Sequence, residues 1–372
     1  MRQYEARQWE TDSVYNSHHS EREQGTPVPV NNVASPINVL VTGAGGFLGR
    51  HVAQLHCERG DHVRSFSRSR YDFLDELGVE QLQGDLRDAP QVAASCRGID
   101  VVQHIAGIAG IWGRWKDYHG INVLGTGHVI EGCRAHGVSR LVYTSSPSVT
   151  FDGRDQLGID ESAPYPRRWS CHYPRSKAMA EELVLNTSDH QLATCALRPH
   201  LIWGPHDNHL LPRLLARSAR GRLRRIGNGE NRIDMVYVEN AALAQLQAAD
   251  SLSVGSPLCG RAYWITQGEP VNCWDWIDRL IACAGLPAVK KSIPAQLAWL
   301  LGGCLEALYK VLPLSGEPPM TRFLARQLST SHYFQIDRAR NDFDYSPAVS
   351  TEQGLERLTK YLDRRGPEAN DD

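Results

Sequence analysis

In the stretch HYPRSK (172–177), Tyr173 stands one helical turn ahead of Lys177, with a proline directly behind the tyrosine. Proline is tolerated in the first turn of a helix, where its missing N–H has no partner to lose. The sequence therefore sets Tyr173 at a helix start and Lys177 a turn later on the same face. A phenol held beside an ammonium can move a proton, but the same spacing also occurs on helices that merely pack. Upstream, RLVYTSSPSV (140–149) ends a β-branched run in the hydroxyls of Ser145, Ser146 and Ser148, which suit either a reacting oxygen or an ordinary cap.

Those groups need a scaffold, and the front half of the chain offers one. Ile37 to Val41 is a short apolar, β-branched run, the pattern of a strand buried on both faces. Gly43, Gly46 and Gly49 follow, interleaved with Phe47 and Leu48, and lead into a helical stretch. Glycines between a buried strand and a helix let the backbone approach a pyrophosphate, and the helix N-terminus adds free N–H groups and partial positive charge. An ordinary tight turn is the competing reading. Further strands are expected in DHVRSFSR, VEQLQGDLRD, DVVQHIAG and RLVYTSSPSV, with helical segments such as APQVAASCRG between some of them. That alternation predicts an α/β fold, a doubly wound parallel sheet of the Rossmann type with ligands beyond the carboxyl ends of its strands.

After the second strand come Ser67, Arg68, Ser69 and Arg70, with no acid before Asp72. Dinucleotide folds that prefer NAD usually carry an acid there for the ribose hydroxyls, whereas a guanidinium with small hydroxyls suits a 2′-phosphate. NADP(H) is therefore expected over NAD(H), with solvated loop charges as the bland account of Arg68 and Arg70.

Composition narrows the field further. Lys plus Arg number 40 against 42 for Asp plus Glu in 372 residues, a formal net charge of −2. Such a balance gives no electrostatic case for nucleic acid or an anionic membrane. The nine cysteines are scattered and never spaced C-x-x-C, which argues against disulfides and for a reducing cytoplasm. The fifteen histidines form no H-E-x-x-H pattern, and no metal is expected. Residues 1–36 are polar and lack the apolar core of a signal peptide, so a disordered arm is expected there and a disordered tail over 363–372. Between them the division is a dinucleotide-binding core over 37–200, to which the chain can return after 230, and a smaller, mainly substrate-binding C-terminal lobe over 201–362.

With these motifs in order, the chain from Ile37 to about Leu362 resembles the extended short-chain dehydrogenase/reductase family. The resemblance rests on TGAGGFLG (42–49), GDLRD (84–88), HIAG (104–107), NVLGT (122–126), YTSSPSV (143–149), YPRSK (173–177) and LRPHLIWGP (197–205). GNGENRIDMVYVEN (227–240) and AYWITQGEPVNCWDW (262–276) look like its 3β-hydroxysteroid dehydrogenase branch. Within that branch the chain is similar to sterol-4-carboxylate 3-dehydrogenases and, more closely, to bacterial 2-alkyl-3-oxoalkanoate reductases of long-chain olefin biosynthesis. The resemblance implies that Tyr173 is the general acid/base, that Lys177 holds the nicotinamide ribose and lowers the tyrosine pKa, and that Ser146 orients the substrate oxygen. It implies Gly43, Gly46 and Gly49 at the pyrophosphate, Asp85 and Leu86 at the adenine, Ile105, Ala106 and Gly107 beside the ribose, and Pro199 over the nicotinamide. Phe47, Leu48 and Arg68 complete the expected cofactor contacts. The chain departs from the family at Thr150, where a tyrosine is usual, and in lacking the acid after strand two.

The implied reaction is NADPH-dependent reduction of a long-chain 2-alkyl-3-oxoalkanoate. Its rivals are an NAD-dependent 3β-hydroxysteroid or sterol-4-carboxylate 3-dehydrogenase, a nucleotide-sugar epimerase or dehydratase, and a non-catalytic dinucleotide sensor or assembly subunit. A homodimer is expected, with other enzymes of the same pathway as further partners. In the back half, NHLLPRLLARSARG reads as a helix, and His200, Trp203 and His206 are candidate pocket residues, with core packing as the rival for Trp203. PAQLAWLLGGCLEALYKVLPL (294–314) is the most apolar stretch, broken by Gly-Gly, Glu306 and Lys310. It reads first as a core or lid helix, next as a surface for an acyl chain or partner subunit, and last as a peripheral membrane contact.

Overall fold

The structure, a computed structural model, describes residues 35–312, 314 and 316–365. The expected N-terminal arm lies almost wholly outside the described residues. Of the expected tail, residues 363–365 instead continue the last helix, Thr351–Arg365, and the rest lies outside them.

Seven parallel strands form the central sheet: β1 (Asn38–Thr42), β2 (His62–Ser67), β3 (Glu80–Gln83), β4 (Val101–His104), β5 (Arg140–Thr144), β6 (Ala193–Pro199) and β7 (Arg261–Ile265). Their spatial order is β7-β6-β5-β4-β1-β2-β3. Because side chains alternate along a strand, Val39 and Val41 enter one core while Leu40 enters the other. The first core is closed by helices α1 (Phe47–Arg59) and α4 (Val238–Ser251), the second by α2 (Gly125–His136) and α3 (His172–Thr187). Val39, Leu40 and Val41 are wholly buried, each worth about 1.5–3 kcal/mol against exposure. That is why the strand reads as a continuous apolar run. The order reverses between β1 and β4, which opens a crevice at the carboxyl ends of those two strands.

The chain returns to this core after 230, since α4 and β7 both follow the first segment of the lobe. Traffic also runs the other way. Gln156–Ile159 leaves the core to join a second, four-stranded sheet with His332–Phe334, Arg232–Ile233 and Val271–Asn272. In its register His332 lies between Gln156 and Ile233. The lobe has its own core, centred on Trp203, Trp274, Trp276 and Leu214.

The apolar stretch forms helix α5 (Ala295–Val311), which packs on α6 (Arg322–Gln327). Only Ala298, Gly302 and Glu306 are buried along it, while Leu297, Leu300, Leu301 and Leu308 are exposed. The contact is narrow because Gly302 admits the backbone of Thr321, which a Cβ would approach to 2.6 Å. Its leucines therefore face outward, contrary to the core-helix reading. Among the described residues no helix is long and apolar enough to cross a membrane.

Candidate active site

A cavity of about 810 Å³ runs from the glycine turn after β1, past the carboxyl ends of β2, β4 and β5, to the four-stranded sheet. Each residue named from the sequence for catalysis or cofactor contact lines it: Gly43, Gly46, Phe47, Leu48 and Gly49, Arg68, Asp85 and Leu86, Ile105 to Gly107, Ser146, Tyr173, Lys177 and Pro199.

The glycine end is shaped by what glycine lacks. Gly43 has φ +74, and a Cβ there would stand 2.9 Å from the backbone of Ala106. A Cβ on Gly49 would stand 2.1 Å from the Gly43 carbonyl oxygen, so only glycine lets α1 start this close to the turn. The first turn of α1 carries no acid, and its cap, Gly46, supplies no side-chain acceptor. Its leading N–H groups and its partial positive charge are thus left for a ligand. This donor set fits a pyrophosphate. The buried hydroxyls of Ser67 and Ser145, on the same cavity wall, also have no hydrogen-bond partner among the described residues.

Tyr71 escaped the sequence reading. Its ring occupies the space of a Gly45 side chain, 1.9 Å from where that Cβ would lie, and covers the turn. The two arginines after β2 also separate here. Arg70 is paired with Asp75 at 2.6 Å; Arg68 lines the cavity and makes no ion pair among the described residues. Asp85 is held by Arg87 at 2.6 Å, and that hydrogen bond draws its carboxyl down to about 2.

Tyr173 is the second residue of α3, and Lys177 follows one turn later. The Lys177 ammonium is buried, donates to the Thr144 carbonyl, and lies 4.2 Å from the centroid of the Tyr143 ring. Burial lowers its pKa to about 7, against the opposing charge of Glu181. The phenol of Tyr173 moves the other way: burial raises its pKa, and the Ser146 hydroxyl pulls part of that back. The Lys177 ammonium itself is directed at Thr144 and Tyr143. A raised phenol keeps its proton at neutral pH, the state a proton donor needs.

Ser146 opens a 3₁₀ turn, Pro147–Thr150, where its Oγ accepts from the Ser148 N–H at 3.3 Å and lies 2.9 Å from the Ser148 hydroxyl. Asn122, in a π-helical turn spanning His119–Leu124, ties the loop after β4 to α3. Its Oδ1 accepts from the Ile108 N–H at 2.8 Å, and its Nδ2 donates to the Ser176 hydroxyl at 2.9 Å. Gly107 permits that approach, since a Cβ would stand 3.0 Å from Asn122 Oδ1. Asn122 sits inside the NVLGT block, but only a turn of altered helical pitch, a feature that favours functional sites, marks it out. That pitch is not written in residue types.

At the other end, His200 lines the cavity, while Trp203 and His206 do not. Trp203 is buried in the lobe's core, edge-on to Tyr237 with centroids 5.1 Å apart. His206 packs against Tyr361 at 4.8 Å. The wall there is instead built from Phe151, Phe323, Phe334, Gln156, Gln327 and His332, none of which the sequence reading chose.

Residues 40–295 match the 3-beta hydroxysteroid dehydrogenase/isomerase family. The chain is 47% identical over 325 residues to a 2-alkyl-3-oxoalkanoate reductase of Stenotrophomonas maltophilia (strain K279a), covering 87% of this chain and 98% of that one. It is 32% identical over 335 residues to the sterol-4-alpha-carboxylate 3-dehydrogenase, decarboxylating, of Mus musculus, covering 89% and 92%. Among solved structures it is similar in fold to MoeE5 in complex with UDP-glucose and NAD, with a TM-score of 0.67 and 23% identity over 88% of this chain and 99% of that one. The family match takes in the glycine turn, the serine turn and α3. This chain belongs to the 3-beta hydroxysteroid dehydrogenase/isomerase family and is an oxidoreductase of the short-chain dehydrogenase/reductase type.

Proposed function

We propose that the chain reduces the ketone of a long-chain 2-alkyl-3-oxoalkanoate to the 2-alkyl-3-hydroxyalkanoate with NADPH, a step toward olefinic hydrocarbons. The observation that carries the reading is the convergence of Ser146, Tyr173 and Lys177 on the same cavity as an uncapped, glycine-built helix start. The similarity to a protein named for that reaction supports the substrate class.

When bound, the nicotinamide supplies the hydride. Gly43, Gly46 and Gly49 would hold its pyrophosphate, Asp85 and Leu86 its adenine, and Ile105 to Gly107, Lys177 and Pro199 the ribose and ring. Tyr173 donates its proton to the oxygen of the ketone as that oxygen gains charge. Ser146 donates a hydrogen bond to the same atom, an oxyanion-type contribution. Lys177 places its side-chain nitrogen beside the loop at Gly107, 3.9 Å from where a Cβ there would stand. Arg68 favours a 2′-phosphate, because its guanidinium makes no ion pair among the described residues and hydroxyls flank it at Ser67 and Ser69.

The test is NADPH oxidation with 2-alkyl-3-oxo acids of increasing chain length, run beside a steroid ketone and repeated with NADH. Turnover of the long-chain acids with NADPH is expected. Preferential oxidation of a 3β-hydroxysteroid with NAD would replace this reading with the steroid one.

A further inference from the structure

The far end of the cavity holds a polar device that the proton-transfer chemistry does not use. Among the residues lining the cavity, the lysine and arginine are Lys177 and Arg68, both at the dinucleotide end. Beyond Pro199 the groups that can carry positive charge are imidazoles: His200, His332 and His209. His209 stands on the exposed rim. His332 is buried; its Nε2 donates to the Gln327 carbonyl at 2.9 Å, and its Nδ1 has no hydrogen-bond partner and no paired carboxylate among the described residues.

His200 is different. It is buried, its Nδ1 lies 3.3 Å from Asp234 Oδ1, and its Nε2 makes no hydrogen bond among the described residues. Asp234 behind it is wholly buried and fixed, its Oδ2 accepting from the Phe334 N–H at 3.0 Å. The His332 ring meets His200 edge-on at 4.9 Å and Phe334 does the same at 5.1 Å, so the imidazole is clamped. A wholly buried carboxylate without a strong cation beside it is costly. Burial accordingly raises Asp234 to about 7 and lowers His200 to about 3, leaving the empty pair short of charge separation. An anion at Nε2 would reverse that balance: the imidazole would take a proton and lie between two carboxylates, one from the protein and one from the ligand.

The small sheet delivers this pair to the reacting end. His332 pairs in register with Gln156, whose Nε2 donates to the Thr150 carbonyl at 3.0 Å, and Thr150 closes the turn that Ser146 opens. Phe151, the next residue, packs edge-on to His332 at 6.2 Å. A 3-oxo acid carries its carboxylate two bonds from the ketone carbon, so a group that recognises the acid must share a cavity with the group that protonates the ketone.

We propose that the His200–Asp234 pair is the anchor for the substrate's carboxylate. This rests on the keto-acid reading given above. The anchor has a chemical purpose. Hydrogen bonds at the ketone oxygen from Tyr173 and Ser146 also favour loss of carbon dioxide from a 3-oxo acid. In that side reaction the C1–C2 bond breaks, its electron pair moves into an enolate on C2, C3 and oxygen, and C2 is then protonated to give a ketone. A carboxylate held by an imidazolium keeps its charge where it is and resists that flow.

The test compares kcat/KM for a 2-alkyl-3-oxo acid and for its methyl ester, with NADPH, in wild type, His200→Phe, Asp234→Asn and His209→Phe. NADPH binding measured by fluorescence verifies that each variant is folded, and His200→Gln serves as the milder variant should the phenylalanine disturb the wall. The acid-to-ester ratio is expected to fall at least tenfold in His200→Phe and less in Asp234→Asn, with decarboxylated ketone appearing as a by-product. A ratio that holds in the folded His200 variants, or that falls in His209→Phe alone, overturns the anchor while leaving the reductase reading intact. Wild type that turns over neither acid nor ester overturns the reductase reading itself, and the anchor with it.

Discussion

The two ends of the cavity are built by opposite strategies. At the dinucleotide end the shape comes from short, contiguous sequence: β1, the turn from Gly43 to Gly49, the start of α1, and the strand ends at Arg68, Asp85 and Gly107. Its turn is made of backbone, and the close approach it allows comes from side chains that are missing at Gly43 and Gly49. At the substrate end, Gln156, His200, Asp234 and His332 are far apart in the chain and meet only because the small sheet sets Gln156–Ile159, Arg232–Ile233 and His332–Phe334 side by side. The first end tolerates many substrates on other members of such a fold, while the second can be rebuilt without touching the cofactor. Tyr173 stands where they join.

Breaking the join should give the largest effect. Tyr173→Phe is expected to cut ketone reduction by about 10²–10⁴-fold, the range for a lost general acid, and to leave NADPH binding nearly intact. Stopped-flow turnover beside a fluorescence titration separates the two, and undiminished turnover would remove the tyrosine from the proton path. Next comes damage to the dinucleotide end alone. In Gly49→Ala the new methyl would meet the Gly43 carbonyl oxygen at 2.1 Å, forcing the start of α1 away from the turn. A loss of about 1–3 kcal/mol in stability is expected from such overpacking, seen as a lower urea midpoint, together with much weaker cofactor binding. A variant that keeps wild-type NADPH affinity would show that the turn has slack.

The same contrast explains what the sequence made legible. The doubly wound sheet follows from runs such as Val39 to Val41, whose burial on both faces leaves an unbroken apolar pattern. The glycine turn was readable because close backbone approach needs glycine at Gly43 and Gly49. Tyr173 and Lys177 were readable because a single helical turn fixes their relation. His332 was not, since its position is set by strand pairing with Gln156 and Ile233, which residue spacing does not encode. Trp203 stayed open between pocket and core, and the pairing of Ile202–Trp203 with Val236–Tyr237 decides for the lobe's core. Spacing on a helix puts Lys177 near the phenol, but only the fold reveals Thr144 and Tyr143 as its partners.

Smaller effects test whether the dinucleotide end reads the cofactor's 2′-phosphate. Removing a charge-assisted hydrogen bond costs about 1.5–3 kcal/mol, so Arg68→Ala should weaken NADPH roughly tenfold or more while changing NADH far less. Equal losses for both would leave Arg68 as a solvated charge and reopen NAD as the cofactor.

Arg70 supplies the sharpest control, two residues away and of the same charge. Its guanidinium is already engaged by Asp75 at 2.6 Å in an exposed pair, and exposed pairs contribute only about 0–1 kcal/mol. Arg70→Ala should therefore lower stability by less than about 1 kcal/mol and leave the ratio of NADPH to NADH affinity close to wild type. If Arg70→Ala instead erodes that ratio as much as Arg68→Ala, the 2′-phosphate is being met by the summed charge of the loop. The distinction between a free and a paired guanidinium would then carry no weight.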